Sequence, residues 1–216
     1  GGATTDLAGF AASSWLRGIS WYAFPTSLAG MVDAAIGGKT GVNAKSGKNL
    51  IGSFYSPSEV LIDLSFLNTL PKRDLSAGMA EVIKCGFIAD YRILNLAQDD
   101  DLDYQQLIAS SIKVKADVVS KDFKESKLRE ILNYGHTLGH AIEKNSGYKL
   151  RHGEAISIGM VFAAELSKQL AGLSDDAVLL HRELLRSFDL PISYPGNKFN
   201  SLLTLLASDK KVKNSK

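Results

Sequence analysis

Glycine is concentrated at the amino-terminal end of the chain, where ten of the 19 glycines fall within the first 52 residues. Because glycine has no Cβ atom, it permits positive φ and close approach of the backbone to another group. The ten residues are Gly1, Gly2, Gly9, Gly18, Gly30, Gly37, Gly38, Gly41, Gly47 and Gly52. This density predicts a region of short elements joined by loops of special backbone geometry.

Short apolar runs lie between these glycines. Their spacing predicts helices at about 7–16 and 27–36, and strands at 19–24 and 60–63, the first strand being closed by Pro25. Alternation of this kind is typical of α/β proteins. We therefore expect this part of the chain to be the end of an α/β layer.

The pattern changes after Pro71, because glycine becomes rarer and apolar residues recur at intervals of three and four. This periodicity predicts a succession of helices. They cover about 73–88, 91–98, 104–121, 127–145, 153–171, 175–188 and 198–207. We predict two domains, an α/β part at 1–70 and an all-α part at 71–216.

Composition excludes several classes of protein. With 45% hydrophobic residues the chain can bury a core, and a net charge of +2 gives no electrostatic reason to bind nucleic acid or an anionic membrane. Its single cysteine, Cys85, allows no internal disulfide, as is usual in a reducing compartment. No apolar run approaches the ~20 residues that span a bilayer, and no signal peptide is apparent. We expect a soluble, cytoplasmic protein.

The two ends of the sequence are unusual. The chain begins at Gly1 without a methionine, in what resembles the middle of a glycine loop, and it stops just after a helical stretch. We expect the amino-terminal part of the first domain and the carboxy-terminal end of the second to be missing.

Three of the four histidines, His136, His140 and His152, fall within 17 positions. Imidazole ligates zinc and titrates near neutrality, so the cluster indicates a metal or catalytic site. A zincin motif is excluded, because Thr137 takes the place of the glutamate that would activate water. His181 stands apart from the cluster and is predicted to be an exposed helix residue.

A polar stripe follows if 127–145 is one helix. Arg129, Asn133, His136 and His140 are spaced by 4, 3 and 4 residues and would lie within ~60° of one another. Such a stripe is typical of the wall of a site, although two histidines can also line a solvated helix face. The wall is the interpretation we favour.

Two glycines, Gly135 and Gly139, interrupt the same predicted helix. Each costs ~1 kcal/mol relative to alanine in a helix interior. We therefore expect another group to approach the backbone closely there.

A carboxylate is needed to complete a catalytic zinc site of the kind that uses two histidines and leaves one position open. Glu81 is a candidate, because it lies in a small, apolar turn of the predicted helix at 73–88. Lys84 shares its helix face, and the alternative interpretation is an ordinary helical ion pair.

The segment Gly37-Gly38-Lys39-Thr40 resembles the end of a Walker A loop, but Asp33 takes the place of its first glycine. A carboxylate there would repel phosphate, which argues against a nucleoside triphosphatase. Asp33 could instead line a cleft for a hydroxylated, anionic ligand, together with Lys39, Lys48 and Asn49.

Seven motifs stand in order along the chain. They are GGATTDLAGF from Gly1, PTSL from Pro25, MVDAAIGGKT from Met31, GKNLIG from Gly47, AGMAEVIK from Ala77, LNYGHTLGHAIE from Leu132 and HGEA from His152. Together they closely resemble the 3-dehydroquinate synthase family of sugar-phosphate cyclases, from the first residue to about Lys213.

The resemblance implies the end of an NAD-binding α/β domain followed by a multihelical metal-binding domain, with the active site in the cleft between them. It also implies catalytic NAD, a divalent metal (zinc, with cobalt as a substitute) and a cytoplasmic homodimer. Two positions depart from the usual pattern: Thr5 replaces glycine, and Tyr134 replaces phenylalanine or tryptophan.

The resemblance also assigns roles to individual residues. The implied metal ligands are Glu81, His136 and His152. The implied catalytic residues are Lys84, Lys115, Glu125, Arg129, Asn133 and His140, with Glu125 in the place of a proton acceptor. Further substrate contacts are Asp33, Lys39, Asn49, one of Lys210 and Lys211, and Arg17, which would reach the phosphate in the neighbouring subunit. The implied NAD contacts are Gly1, Gly2, Ala3, Asp6, Thr26, Ser27, Lys48, Phe66, Leu67, Asn68 and Thr69.

The implied reaction converts 3-deoxy-D-arabino-heptulosonate 7-phosphate to 3-dehydroquinate and phosphate, in the shikimate route to aromatic amino acids. The set Lys84, Lys115, Arg129, Asn133 and His140 suits a substrate that carries both carboxylate and phosphate. The alternatives are a related cyclase that makes valiolone-type or scyllo-inosose products, an NAD-using alcohol dehydrogenase with a metal, and a non-catalytic binding piece.

Overall fold

The computed structural model describes residues 1–44 and 47–213, without the side chains of 47–48 and 208–213. The chain divides into two compact units, Gly1–Leu132 and Asn133–Lys216. The sequence-based domain boundary near residue 70 falls inside the first unit and stays a prediction. Among the described residues, no helix is long and apolar enough to cross a membrane.

In the described residues 1–44 and 47–132, the first unit has four helices and four short strands. Its helices are α1 (Gly2–Ser14), α2 (Lys72–Ile88), α3 (Tyr91–Leu96) and α4 (Tyr104–Lys121), and its strands are β1 (Tyr22–Ala23), β2 (Lys39–Ala44), β3 (Gly47–Phe54) and β4 (Glu59–Val60). Short segments of 3-10 or π helix cover Trp15–Arg17, Gly30–Ala34, Leu64–Thr69 and Leu128–Asn133. The predicted helices over α2 and α4 are confirmed, the bounds of α4 to the residue.

The strands form two separate pairs. β1 and β4 are parallel, with Tyr22 opposite Glu59, and the strands predicted at 19–24 and 60–63 shrink to two residues each. β2 and β3 form an antiparallel hairpin in which Gly41 faces Gly52. This hairpin was not predicted, because its two strands carry glycine and polar residues in place of a clear apolar alternation. A Cβ atom on Gly52 would lie 2.1 Å from the carbonyl oxygen of Thr40, which explains the glycine there.

The core of the first unit forms around α2, which is buried continuously from Ala77 to Gly86. The turn at Gly30–Ala34 packs against this helix, and its neighbour Leu28 has no exposed surface. Gly78 permits the contact, since a Cβ atom there would lie 2.6 Å from the Cβ atom of Leu28. The helix predicted at 27–36 is thus a single π turn, closely packed against α2.

From 133 to 213, the range that the structure describes, the regular elements of the second unit are all helices. This unit comprises α5 (His136–Asn145), α6 (His152–Ala171), α7 (Asp175–Ser187) and α8 (Phe199–Lys213), with a 3-10 turn at Gly196–Lys198. Its core contains Ala141, Ile142, Ala155, Ile158 and Leu202. The helix predicted at 153–171 is confirmed, and that at 175–188 ends one residue early.

The predicted helix at 127–145 is wrong in one respect, because it is not continuous. A 3-10 turn ends at Asn133, Gly135 adopts φ of +76°, and α5 starts afresh at His136. The reason is packing against α6: a Cβ atom on Gly135 would lie 2.7 Å from the backbone nitrogen of Met160. The polar stripe inferred from helical spacing therefore does not exist as such. The expected close approach at Gly135 and Gly139 is confirmed, and α6 is the element that makes it.

Candidate functional site

Three imidazole rings meet in the second unit. The ring centroids of His136 and His140 lie 5.3 Å apart, those of His136 and His152 5.2 Å, and those of His140 and His152 6.0 Å. His136 and His152 are the first residues of α5 and α6, so the close crossing of these helices brings them together. The predicted cluster of histidines is therefore present, although a helix crossing creates it rather than a single helix face.

The backbone fixes the orientation of His136. Its Nδ1 atom lies 3.1 Å from the carbonyl oxygen of Tyr134. A carbonyl oxygen can only accept, so Nδ1 carries the proton and Nε2 is the atom that can ligate a metal. This arrangement is what a metal-binding histidine requires.

The buried carboxylate of Glu143 faces Nδ1 of His152, as the carbonyl oxygen of Tyr134 faces Nδ1 of His136. Oε2 of Glu143 lies 3.4 Å from Nδ1 of His152, and the Glu143 side chain is only 4% exposed. Sequence reasoning missed Glu143, although it is the last residue of the motif LNYGHTLGHAIE and lies two turns beyond His136. Glu143, His140 and His152 each place one ligand atom within 4.8 Å of the others. These three residues are therefore also a set of donors that could hold a metal ion.

His181 is buried, and the prediction that it would be exposed is wrong. Its Nδ1 atom donates to the carbonyl oxygen of Ala177 at 2.7 Å, so Nε2 accepts a hydrogen bond from the Tyr134 hydroxyl at 3.0 Å. Burial lowers the pKa of His181 and keeps the ring neutral. The histidine thus anchors the turn that precedes His136 to α7.

Glu81 and Lys84 form a buried ion pair in the first unit, with 2% and 3% of their side chains exposed. Burial favours neutral Lys84, but Glu81 and Asp33 outweigh it, so the net effect is to raise the pKa of Lys84. The Lys84 ammonium therefore stays charged at neutral pH. An ordinary helical ion pair faces solvent, whereas this one is enclosed.

Asp33 and Lys115 form a second pair, although 82 positions separate them in sequence. The Lys115 ammonium donates to the Asp33 carbonyl oxygen at 2.5 Å and also to its carboxylate. Burial alone would raise the pKa of Asp33, but Lys115, helped by Lys84, lowers it below its ordinary value. The turn at Gly30–Ala34 and α4 thereby bring two predicted substrate contacts together.

Two backbone carbonyl oxygens bind the guanidinium of Arg129. Its guanidinium donates to the carbonyl oxygens of Phe123 at 2.6 Å and Gly37 at 3.0 Å, and 1% of the residue is exposed. Close by in sequence, the Glu125 carboxylate lies 2.7 Å from the Lys39 ammonium. Lys39 and Arg129, both predicted from the sequence, are thus held by groups of the same unit.

Several predicted NAD contacts cluster where α1 begins. A Cβ atom on Gly1 would lie 3.5 Å from Oγ of Ser27, and one on Gly2 would lie 3.2 Å from Cβ of Ala34. Burial is the main cause that raises the pKa of Asp6, on α1, to about 6. The charge of Asp33 also raises this pKa, and that of Lys115 lowers it.

The remaining predicted residues are more scattered. Arg17 is exposed at the end of a 3-10 turn, Asn49 lies in β3 with φ of +51°, and Phe66, Leu67, Asn68 and Thr69 belong to the turn Leu64–Thr69. Ala3 lies in the first turn of α1, Thr26 is half-buried, and Asn133 ends a 3-10 turn. The side chains of Lys48, Lys210 and Lys211 lie outside the described residues.

Sequence models of two adjoining domains match the chain. The model described as 3-dehydroquinate synthase N-terminal matches residues 1–77, and the one described as 3-dehydroquinate synthase C-terminal matches 78–212.

Curated relatives extend the match. The chain is 57% identical to the 3-dehydroquinate synthase of Paenarthrobacter aurescens (strain TC1) over 98% of its own length and 60% of that protein. It is 53% identical to the 3-dehydroquinate synthase of Mycobacterium leprae (strain TN), over 99% of its length and 61% of that protein. The chain thus spans about three fifths of the length of these relatives.

Solved structures share the fold. One is a 2-epi-5-epi-valiolone synthase from Streptomyces hygroscopicus subsp. jinggangensis 5008, solved with NAD+ and Zn2+. It has a TM-score of 0.88 at 29% identity, and the match covers 96% of this chain and 61% of the synthase. A 2-deoxy-scyllo-inosose synthase, complexed with carbaglucose-6-phosphate, NAD+ and Co2+, has a TM-score of 0.80 at 33% identity, with coverage of 94% and 60%. These likenesses confirm the predicted fold class.

Proposed function

The chain belongs to the 3-dehydroquinate synthase family, and on that premise we propose that its full-length protein converts 3-deoxy-D-arabino-heptulosonate 7-phosphate to 3-dehydroquinate and phosphate. Relatives of that name, 52–57% identical, support this substrate over those of the other cyclases. The geometric observation that carries the proposal is the meeting of His136, His140 and His152 at the starts of α5 and α6. The reaction would serve the shikimate route to aromatic amino acids.

Glu81, His136 and His152 are the residues that we assign to a divalent metal, zinc or cobalt. Two imidazoles and a carboxylate form a donor set that catalytic zinc uses while keeping one position open. The donors also fit in orientation, because Nδ1 of each histidine faces an oxygen atom and leaves Nε2 for the metal. Such a metal polarises a hydroxyl or ketone and acidifies the neighbouring C–H.

NAD is the second group that we assign to the protein, along the start of α1. The backbone N–H groups at Gly1 and Gly2 begin this helix, and helix amino termini favour anionic groups. Thr26, Ser27, Lys48 and the turn Leu64–Thr69 are the further contacts implied by the family. NAD supplies a hydride acceptor that later returns the hydride, so the reaction has no net redox change.

The cations of the first unit would bind the carboxylate and phosphate of the substrate. They are positioned before substrate arrives, because Lys84 is paired with Glu81 and Lys115 with Asp33. A guanidinium has five N–H donors, and Arg129 donates two hydrogen bonds to backbone carbonyl oxygens. Anion binding at groups that are already oriented lowers the entropy cost of holding the substrate.

Glu125 and His140 are the residues that we assign to proton transfer. Glu125 is held by Lys39 and keeps 25% of its side chain exposed, so its carboxylate is accessible from solvent. His140 is exposed in the described structure. Both can exchange protons with water between turnovers, as general acids and bases must.

The active protein is, in our proposal, a cytoplasmic homodimer and a carbon–oxygen lyase. Arg17 supports the dimer, since its exposed side chain ends a turn in which Leu16 and Arg17 both have positive φ, and it would contact the phosphate bound by the partner. Cys85 is a buried free cysteine, in keeping with a reducing compartment. Sedimentation of the full-length protein tests the dimer.

The decisive experiment measures phosphate release by the protein at its natural full length. We expect release from the heptulosonate phosphate that requires NAD+, stops with a chelator and returns with zinc. His136→Ala is expected to abolish both bound zinc and activity, whereas His140→Ala keeps its zinc and loses activity. Turnover of sedoheptulose 7-phosphate alone would favour a valiolone-type cyclase, which the likeness to that synthase makes the second candidate. Net accumulation of NADH with a simple alcohol would favour a dehydrogenase.

A further inference from the structure

We propose that Asp122 is a positioning residue, which fixes the loop that carries Glu125 and Arg129 in their working geometry. This inference rests on the proposed function, because that function gives the two residues their roles. Asp122 belongs to none of the residues predicted from the sequence. It is the residue directly after α4, and its side chain is buried.

The Asp122 carboxylate closes the loop with four hydrogen bonds. Oδ1 accepts from the backbone N–H of Ser126 at 2.8 Å and from its hydroxyl at 2.9 Å. Oδ2 accepts from the backbone N–H groups of Lys127 at 2.9 Å and Arg129 at 3.0 Å. Both oxygens are therefore used, and the chain from 122 to 129 is tied into one ring.

The closed loop determines where Glu125 lies. This residue has φ of +58°, a left-handed backbone conformation that is uncommon and strained for a residue with a Cβ atom. The hydrogen bonds to Ser126 and Lys127, directly after it, hold the backbone in that conformation. In it the Glu125 carboxylate reaches the Lys39 ammonium at 2.7 Å.

The same loop determines where Arg129 lies. Asp122 binds its backbone N–H, and the carbonyl of Phe123, one residue after Asp122, accepts from its guanidinium at 2.6 Å. Both ends of the arginine are thus tied to the start of the loop. The other guanidinium bond, to Gly37, fixes the side chain against the segment that also carries Lys39.

Only an ionised aspartate satisfies this ring of donors. Backbone N–H groups of Arg129, Ser126 and Lys127 hold the pKa of Asp122 well below its ordinary value, so it is charged at any working pH. Asparagine has the same shape, but in either orientation its NH2 group would face at least one of the backbone N–H donors that the carboxylate binds. The substitution Asp122→Asn therefore removes at least one bond and opposes two donors, without changing the volume of the side chain.

The test compares Asp122→Asn with Asp117→Asn in the natural full-length protein. Asp117 is a matched control, because it lies on α4 and pairs with Lys113 at 2.8 Å on the exposed surface. We expect Asp122→Asn to lower kcat by roughly 10- to 100-fold, as displaced catalytic groups do, while zinc content and the Kd for NAD+ stay unchanged. Hydrogen exchange is expected to accelerate at the amides of Ser126, Lys127 and Arg129 only.

Each result has a defined meaning. Normal kcat with faster exchange would show that loop closure has no part in catalysis and would overturn the inference. Unchanged exchange would overturn the claim that Asp122 closes the loop. Ser126→Ala, which removes one of the four bonds, covers the case in which Asp122→Asn fails to fold, and it should give a smaller loss of the same kind. A wild-type protein that is inactive on the heptulosonate phosphate would overturn the proposed function itself. Hydrogen exchange tests loop closure independently of activity.

Discussion

Nδ1 of His152 lies 3.4 Å from Oε2 of Glu143, a carboxylate that the fold encloses almost completely. A histidine whose second nitrogen faces a carboxylate is fixed in one orientation and is a more basic ligand. The pair lies within one unit and links the start of α6 to the last turn of α5.

The first prediction concerns this pair. Glu143→Gln should weaken zinc binding by roughly 10- to 100-fold, because an amide orients the imidazole less firmly than a carboxylate. Competition titration against a chelating dye measures the change, with Glu130→Gln, at an exposed position, as the control. Equal zinc affinity in the wild type and Glu143→Gln would show that Glu143 does not support the ligand.

The second prediction concerns the crossing of α5 and α6. A Cβ atom at position 159 would lie 1.9 Å from the carbonyl oxygen of Gly135, and neither backbone can yield without moving His136. Gly159→Ala should cost at least about 1–3 kcal/mol of unfolding free energy and lower zinc content. Urea denaturation measures the loss. Gly196→Ala, where a Cβ atom meets nothing within 4 Å, is the control.

The third prediction concerns Tyr134, whose hydroxyl donates to buried His181. Tyr134→Phe leaves Nε2 of His181 without this donor, at a cost of about 1–3 kcal/mol. Tyr91→Phe, at an exposed tyrosine, should change stability by less than about 0.5 kcal/mol. Chemical denaturation of both variants at pH 7.5 checks the difference, and matching values would contradict it.

The fourth prediction concerns pH. Burial raises the pKa of Asp6 to about 6, whereas in the unfolded chain the pKa has its ordinary value of 3.8. Between these two pH values the folded protein therefore holds a proton that the unfolded chain has released. The stability contributed by this group is complete below pH 3.8 and is lost as the pH rises through about 6. Asp6→Asn should therefore raise the urea midpoint at pH 8 and change it little at pH 4. Because Asp6 is also an assigned NAD contact, the same variant should bind NAD+ more weakly.

The sequence predicted the elements whose signals are local. The bounds predicted for α4 agree with the structure because its apolar period is regular; Asp103 caps the helix by accepting from the backbone N–H of Gln106 at 3.0 Å. The family, and with it the fold class, followed from motifs that keep their order along the chain.

Features that depend on distant partners were not predictable in the same way. The burial of His181 requires Tyr134, 47 positions away, and the break at Gly135 requires the backbone of α6. Helical periodicity cannot reveal either one, because a glycine in the left-handed region and a glycine in a helix look alike in sequence. The bonding of Asp122 is likewise not predictable from periodicity, because its four donors belong to a loop with no regular pattern.

The break at Gly135 makes the histidine cluster a property of two crossing helices, not of one peptide. A synthetic segment copied from 127–145 would supply His136 and His140 but would lack the α6 backbone that selects φ of +76° and sets the spacing to His152. The smallest transplantable unit is therefore the α5–α6 pair with the three glycines of its crossing, Gly135, Gly139 and Gly159. A designer who moves the imidazoles to another scaffold must move that crossing with them.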